Sequence, residues 1–231
     1  MAAEVRVVPS AEAIGERLAA ELADRHDRGD GPFLLGCPGG RSLRTTYAAM
    51  TGRRWERLVV VMMDEYAAAA EDAHYSCTRF AREEIAGPLG IPAERTWLPH
   101  AGYDERIEKA GGIDVFLLAS GASDGHVAFL PPGSPRDGRT AVVELAASTR
   151  RDNLATFPGF RTLAEVPTSG ISVGLGTILA ARSLRLVLHG ADKRHAARRL
   201  LSLDRFDPDW PASIVHDHED AIIYIDEEAA A

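Results

Sequence analysis

The stretch GPFLLGCPGGRS, residues 31–42, decides the fold class. Its apolar run does not alternate with polar residues, which is typical of a strand buried on both faces of a parallel sheet. Two glycines and a serine follow, and the next segment, SLRTTYAAMTG, favours a helix. A glycine-rich turn between a strand and a helix lets backbone N–H groups approach an anion. The stretch therefore predicts a strand, an anion-binding loop and a helix.

The same strand-then-helix pattern recurs along the chain. Apolar runs at 57–66, 112–119, 184–188 and 221–226 are separated by helical patterns such as residues 11–24. Two further strands are expected in RTAVVELA and SGISVGLGTILAA. Strands alternating with helices imply a parallel sheet covered on both faces. We predict one α/β domain over residues 1–231, with a mainly parallel, Rossmann-like, doubly wound sheet.

Composition narrows the classes of function. The 231 residues carry a net charge of -8, which argues against nucleic acid and anionic membranes as partners. The amino terminus lacks the pattern of a secretion signal, and no apolar run reaches membrane-spanning length. Two cysteines without metal-ligand spacing fit a reduced, cytoplasmic setting. No metal and no cofactor is predicted, a small molecule is the expected partner, and a homo-oligomer is compatible with the sequence.

Four polar clusters follow the predicted strands. In open α/β sheets, ligands bind beyond the carboxyl ends of the strands, so these clusters should meet at one edge. Each cluster alone is a weak signal, and their convergence is the main evidence for a site. They are GCPGGRS (36–42), MMDEY (62–66), SGASDGH (120–126) and HGADK (189–193).

Two of the clusters suit proton transfer. Asp64 ends an apolar strand, where a carboxylate can act as a general base. The alternative for this residue is a helix cap or a surface acid. Asp124 and His126 flank Gly125, and an imidazole oriented by a carboxylate can shuttle protons. The alternative for this pair is a turn aspartate beside a surface histidine.

The other two clusters suit an anion. Arg41 adds a guanidinium to the loop of Gly39, Gly40 and Ser42, although a plain tight turn with a serine cap explains the loop equally well. Lys193 begins a helix, where it opposes the helix dipole unless an anion compensates. The alternative is a solvated surface lysine. Phosphate is the anion that this combination favours.

With these clusters in this order, the chain resembles the glucosamine-6-phosphate deaminase and 6-phosphogluconolactonase superfamily, and it is closer to the deaminase branch. MMDEY, GHVAF and ISVGLGTILAA carry the resemblance. It implies isomerisation with loss of ammonia from an amino-sugar phosphate such as glucosamine 6-phosphate. Asp64 would move a proton between C2 and C1, and Asp124 and His126 would open the ring. The sugar phosphate would be held by Gly39, Gly40, Ser42 and Lys193.

Three positions depart from the deaminase pattern. Pro131, in GHVAFLPPGS, stands where the resemblance expects a catalytic glutamate that partners the histidine. An expected phosphate-binding arginine is missing near Ala155, and we infer that Arg41 replaces it from the other side of the pocket. Leu130 and Pro131 are closer to the lactonase pattern. A lactonase, in which His126 activates water, is therefore one alternative, and an altered-substrate or weakly catalytic sugar-phosphate-binding homologue is another.

Overall fold

The computed structural model describes residues 2–67, 69–70, 73–157 and 159–231. Seven strands form one parallel sheet in the order β1-β10-β9-β6-β2-β3-β5, which confirms the predicted fold class. Three shorter strands form a second sheet. The strands are β1 (Glu4–Val8), β2 (Phe33–Cys37), β3 (Leu58–Met62), β4 (Asp64–Tyr66), β5 (Thr96–Trp97), β6 (Val115–Ala119), β7 (Ala141–Glu144), β8 (Ser169–Ser172), β9 (Leu184–Leu188) and β10 (Ala221–Asp226).

Helices connect most of the parallel strands. A π-helical turn, Ala81–Ala86, joins the helices Cys77–Phe80 and Gly87–Leu89, and short 3-10 turns precede β5 and the helix Arg194–Leu201. The pattern at residues 11–24 is confirmed as a helix that runs on to Arg28. The segments of α5 and α6 were not recognised as helices in the sequence. The helices are α1 (Ala11–Arg28), α2 (Arg44–Ala49), α3 (Cys77–Phe80), α4 (Gly87–Leu89), α5 (Tyr103–Lys109), α6 (Ala147–Thr156), α7 (Leu175–Leu179), α8 (Arg194–Leu201) and α9 (Glu227–Ala230).

Apolar side chains cover both faces of the parallel sheet. Leu34 and Val61 belong to the core on the side of α5, α7 and α8, whereas Leu35 and Val60 belong to the core on the side of α1 and α2. Successive residues of a strand point to opposite faces, so a strand between two helix layers needs apolar residues at every position. This explains why the strand sequences do not alternate.

One strand prediction was wrong. The segment at 57–66 is not a single strand, because β3 ends at Met62 and β4 pairs antiparallel with β8 in the second sheet. Met63 marks the change of sheet: its N–H donates to the carbonyl of Cys37, and its own carbonyl accepts from Val173. The strand β7, whose Val142 is exposed, also belongs to this antiparallel sheet. A sheet with one solvated face is normally antiparallel.

The sheet topology determines where the residues of the candidate site lie. Asp64 is the first residue of β4, two positions after the end of the parallel strand β3, and its backbone is held by pairing with Ser172. The loops after β2, β3, β6 and β9 leave the same edge of the sheet because these strands are parallel. Among the helices of the described residues, none is long and apolar enough to cross a membrane.

Candidate active site

A cavity of about 330 Å³ opens at the carboxyl edge of the parallel sheet. Residues from all four predicted clusters line it, so the convergence expected from the sheet topology is present in the structure. Helix α6 supplies a further wall. The lining includes Gly39, Gly40, Arg41, Ser42, Asp64, Tyr66, Cys77, Ser120, Gly121, His126, Phe129, Asp152, Asn153, Phe157 and Lys193.

Asp64 is a buried carboxyl group on the wall of this cavity. Burial raises its pKa to about 7, and the neighbouring charge of Glu65 acts in the same direction. The thiol of Cys77 donates a hydrogen bond to Oδ1 of Asp64 over 3.3 Å, which partly opposes that rise. Burial also raises the pKa of Cys77 well above the usual value for a thiol, so Cys77 remains a donor. A carboxyl group with a pKa near neutrality is well matched to accepting and returning a proton.

Glu65 has a structural function. Its carboxylate accepts hydrogen bonds from the backbone N–H groups of Cys77 and Thr78, at 3.0 and 2.7 Å, and from the hydroxyls of Ser76 and Thr78. These bonds fix the start of α3, which places Cys77 against Asp64. Glu65 is therefore the residue that fits the helix-cap interpretation, whereas Asp64 is the one that lines the cavity.

His126 and Asp124 form a closely bonded pair. Nδ1 of His126 lies 2.7 Å from Oδ1 of Asp124, and the hydroxyl of Ser148 donates to Oδ2 over 2.5 Å. Burial opposes the ionisation of Asp124, but the hydrogen bonds from His126 and Ser148 outweigh it and hold the pKa of Asp124 well below its usual range. His126 lines the cavity, whereas Asp124 lies behind it. Nε2 of His126 has no hydrogen-bond partner among the described residues.

Two glycines make room for this pair. Gly125 has a φ of 68°, and a Cβ at this position would overlap the indole of Trp210. A Cβ at Gly121 would overlap the imidazole of His126 and approach the carboxylate of Asp124. The residue between Asp124 and His126 thus has a backbone conformation and a close contact that favour glycine. The need for Gly121 was not apparent in the sequence.

The expected anion-binding residues lie in the loops after β2 and β9, the two strands that flank β6 in the parallel sheet. Gly40 has a φ of 88°, and Gly39, Arg41 and Ser42 line the cavity beside it. Lys193 is half-buried, and its Nζ donates to the carbonyl of Ser120 over 2.7 Å. Burial lowers the pKa of Lys193, against the opposing influence of nearby carboxylates.

Arg41 is placed differently from Lys193. Its side chain is 52% exposed, and Nη2 lies 3.5 Å from Oδ2 of Asp192, which also lines the cavity. Arg41 is therefore a rim residue with a carboxylate already beside it. It can contribute positive charge to the cavity mouth, but Lys193 is the more enclosed cation.

Pro131 forms part of a turn. Its carbonyl accepts hydrogen bonds from the N–H of Ser134 at 3.1 Å and from its hydroxyl at 2.6 Å. Gly133, at the third position, has a φ of 84°, which is the arrangement of a type II turn with proline at the second position. Leu130 is buried in the core. Of the described residues that line the cavity, none comes from this turn, and the side chain of Ala155 lies outside the described part of the structure.

Helix α6 brings residues to the cavity that the sequence analysis did not select. Asp152 and Asn153 of α6 line it, as does Phe157 directly after the helix. Oδ2 of Asp152 lies 3.9 Å from Nδ1 of His126. The segment TRRDNLATF shows no apolar periodicity that could have indicated a helix at the site. The available signal was a carboxylate, Asp152, three residues before Ala155, the position near which the resemblance expects a phosphate-binding arginine.

Comparison with known proteins identifies the family. The family described as "Glucosamine-6-phosphate isomerases/6-phosphogluconolactonase" matches residues 9–224. The chain is 32% identical to a glucosamine-6-phosphate deaminase of Shouchella clausii (strain KSM-K16) over 97% of this chain and 95% of that protein. It is 30% identical to one of Dictyostelium discoideum over 95% and 86% of the two chains. The chain therefore belongs to this family of sugar-phosphate isomerases and lactonases, as the sequence motifs predicted.

Solved structures agree on the fold. A monomeric glucosamine-6-phosphate deaminase of the NagB superfamily superposes with a TM-score of 0.90 at 26% identity, with 98% of each chain covered. The 6-phosphogluconolactonase of Leishmania guyanensis superposes with a TM-score of 0.76 at 15% identity, covering 99% of this chain and 98% of that one. The lactonase likeness concerns the fold alone.

Proposed function

We propose that the protein converts an amino-sugar phosphate, such as glucosamine 6-phosphate, into a ketose phosphate and ammonia. The observation that carries this proposal is Asp64, a buried carboxyl group with a pKa of about 7 in the same cavity as the Asp124–His126 pair. Isomerisation at C2 and C1 needs a base that removes a carbon-bound proton and returns it. Hydrolysis of a lactone needs no such group. The similarity to named deaminases supports the same reaction.

Ring opening is the first chemical step. We assign it to His126, whose Nε2 takes the proton of the C1 hydroxyl as the bond between C1 and O5 breaks and then delivers it to O5. Asp124 keeps Nδ1 protonated through the 2.7 Å contact, so that Nε2 is the nitrogen available to the substrate. The pKa of Asp124 lies well below its usual range, so this carboxylate stays ionised throughout.

Proton transfer between carbons follows. Asp64 in its ionised form removes the proton from C2, which gives an enolamine, and then returns a proton to C1. Water adds to the resulting C2 iminium carbon, and ammonia leaves to give the ketose. Lys193 and the loop of Gly39, Gly40 and Ser42 hold the phosphate. Binding energy from this remote group positions C1 and C2 against the reacting side chains.

Lactone hydrolysis is the second candidate, and the turn at Pro131 is the observation that favours it, because no glutamate is available there. The two reactions are separated by one set of assays. The wild type should release ammonia and ketose phosphate from glucosamine 6-phosphate, and in D₂O it should exchange the C2 proton. Asp64→Asn should abolish both, with a loss of at least about 10²- to 10⁴-fold.

Hydrolysis of 6-phosphogluconolactone that is unaffected by Asp64→Asn, together with no ammonia release by the wild type, would establish the lactonase instead. Tight binding of sugar phosphates without turnover of either substrate would support a binding protein. We further propose that the enzyme acts in the cytoplasm, where phosphorylated sugars are retained. The free, buried thiols of Cys37 and Cys77 are consistent with reducing conditions.

A further inference from the structure

Asp152 is a second carboxylate beside the imidazole of His126. Its Oδ2 lies 3.9 Å from the same Nδ1 that Asp124 contacts at 2.7 Å. Unlike Asp124, Asp152 lines the cavity, and its side chain is 27% exposed. The two carboxylates come from different elements, since Asp124 follows β6 and Asp152 lies on α6.

The position of Asp152 is held by the loop that carries the catalytic pair. The backbone N–H of Ala122 donates to Oδ2 of Asp152 over 3.1 Å. Within the described residues, no lysine or arginine forms an ion pair with Asp152, and His126 is the basic group within 4 Å of it. Its negative charge also reaches Lys193, where it opposes the lowering of the pKa by burial. Asp152 is thus an ionic group on the cavity wall that no structural salt bridge explains.

We propose that Asp152 is a positioning residue for ring opening, and that its charge stabilises the imidazolium formed when His126 carries the proton from O1 to O5. The proposal rests on the proposed function. Opposite charges at this distance in a partly enclosed site attract one another appreciably. The turn at Pro131 cannot contribute a carboxylate to His126, and Asp152 supplies one from α6 instead.

The same three residues could also form a cation site. The ligand atoms of Asp124, His126 and Asp152 lie within 4.8 Å of one another. However, Nδ1 of His126 and Oδ1 of Asp124 are already engaged with each other, and Oδ2 of Asp124 accepts from Ser148. A charge partner for the imidazole accounts for all of these contacts without a metal, and the experiment below distinguishes the two.

Ring opening can be measured separately from the later chemistry. Asp64→Asn removes the base for C2 but leaves the ring-opening residues in place. In this background, exchange between the α and β anomers of glucosamine 6-phosphate reports ring opening directly, and it can be followed by exchange NMR. We expect the Asp64→Asn protein to accelerate anomer exchange relative to the sugar phosphate alone. The double variant Asp64→Asn/Asp152→Asn should be about ten- to a hundredfold slower than Asp64→Asn. This loss is smaller than the factor that a proton-transferring group itself supplies.

Matched variants separate positioning from folding. Asparagine at 152 can still accept from Ala122, so the loop contact is preserved. Asp152→Glu keeps the charge and should restore part of the rate, whereas Asp30→Asn removes an exposed carboxylate before β2, at the opposite edge of the sheet, and should leave the rate unchanged. In the otherwise wild-type enzyme, Asp152→Asn should lower kcat for ammonia release and leave KM nearly unchanged.

Three results would overturn the inference. Undiminished anomer exchange in the double variant would remove Asp152 from ring opening. A rise in KM with unchanged kcat would make it a substrate-binding residue. Loss of activity with a chelator, restored by a divalent cation, would make the three residues a metal site. A wild type that releases no ammonia contradicts the proposed function instead, and the anomer exchange still decides the assignment of Asp152.

Discussion

The raised pKa of Asp64 has a consequence for stability that can be measured without any substrate. Burial raises the pKa from 3.8 to about 7 in the folded protein, so the folded state retains a proton that the unfolded chain releases. Below about pH 4 the group is protonated in both states and has no effect. Between about pH 4 and 7, the contribution of Asp64 to the free energy of unfolding should fall by about 1.36 kcal/mol for each pH unit. Above pH 7 the loss should level off.

Asp64→Asn removes this dependence. The difference between 3.8 and about 7 corresponds to about 4 kcal/mol at pH 8, an upper limit because Asp64 also lines the cavity. Asparagine can still accept the hydrogen bond from Cys77. The variant should therefore be more stable than the wild type at pH 8 by about 2–4 kcal/mol, which for a chain of this size is a Tm higher by roughly 4–16 °C, although it is inactive.

The assay is urea unfolding of both proteins at several pH values from 4 to 8, with the slope against denaturant compared to verify that the same surface is exposed. Asp30→Asn, at an exposed site, is the control and should follow the wild type. The reasoning is refuted if the difference between Asp64→Asn and the wild type does not change with pH. In that case Asp64 ionises normally and is not a base with a pKa near neutrality.

The remaining predictions concern the neighbours of this base and the phosphate. Lys193→Ala should weaken binding of a sugar phosphate about ten- to a hundredfold, measured by calorimetry, with little effect on binding of the unphosphorylated sugar. Arg41→Ala should weaken binding of the sugar phosphate less, because Arg41 lies on the rim beside a carboxylate. Equal losses of affinity in the two variants would contradict this ranking. Cys77→Ala removes a donor to the Asp64 carboxylate, so the pKa of Asp64 should rise and the activity should appear at higher pH, whereas Cys77→Ser should keep the wild-type profile. Gly121→Ala should reduce kcat and the Tm together, because the added methyl overlaps the active-site imidazole; normal activity would show that the loop can move aside.

Much of the fold could be predicted because a strand that is buried on both faces has an uninterrupted apolar sequence. The strand β2 is apolar at every position since both of its faces are covered, and the positions of four polar clusters after such strands located the cavity. The small antiparallel sheet could not be predicted in the same way. Leu58 to Met63 form one continuous apolar run that leads directly into Asp64 without a turn residue, and the change of sheet depends on backbone hydrogen bonds between Met63 and the distant residues Cys37 and Val173.

The site was predictable to the extent that its residues follow strands. Asp64 and His126 do so and could be selected from the sequence as cavity residues, whereas Asp152 lies in the interior of α6, a helix without an apolar stripe. Such a helix is held by contacts that are distant in sequence, including the bond from Ala122 and those from Arg150 to the carbonyls of Leu163 and Val166. No local pattern encodes those contacts, and for this reason the second carboxylate near His126 becomes visible only in three dimensions.

The departures from the deaminase pattern also follow a physical logic. The turn at Pro131 has no carboxylate where the deaminase pattern has a glutamate, whereas Oδ2 of Asp152 on α6 lies 3.9 Å from Nδ1 of His126. In the proposed mechanism, ring opening requires negative charge near Nδ1 of His126, and that requirement does not specify which element supplies it. A site can therefore keep its chemistry while the element that contributes a charge changes. If Asp152 serves His126 in this way, the turn at Pro131 no longer favours a lactonase over a deaminase, and the effect of Asp64→Asn on each reaction is what discriminates between them.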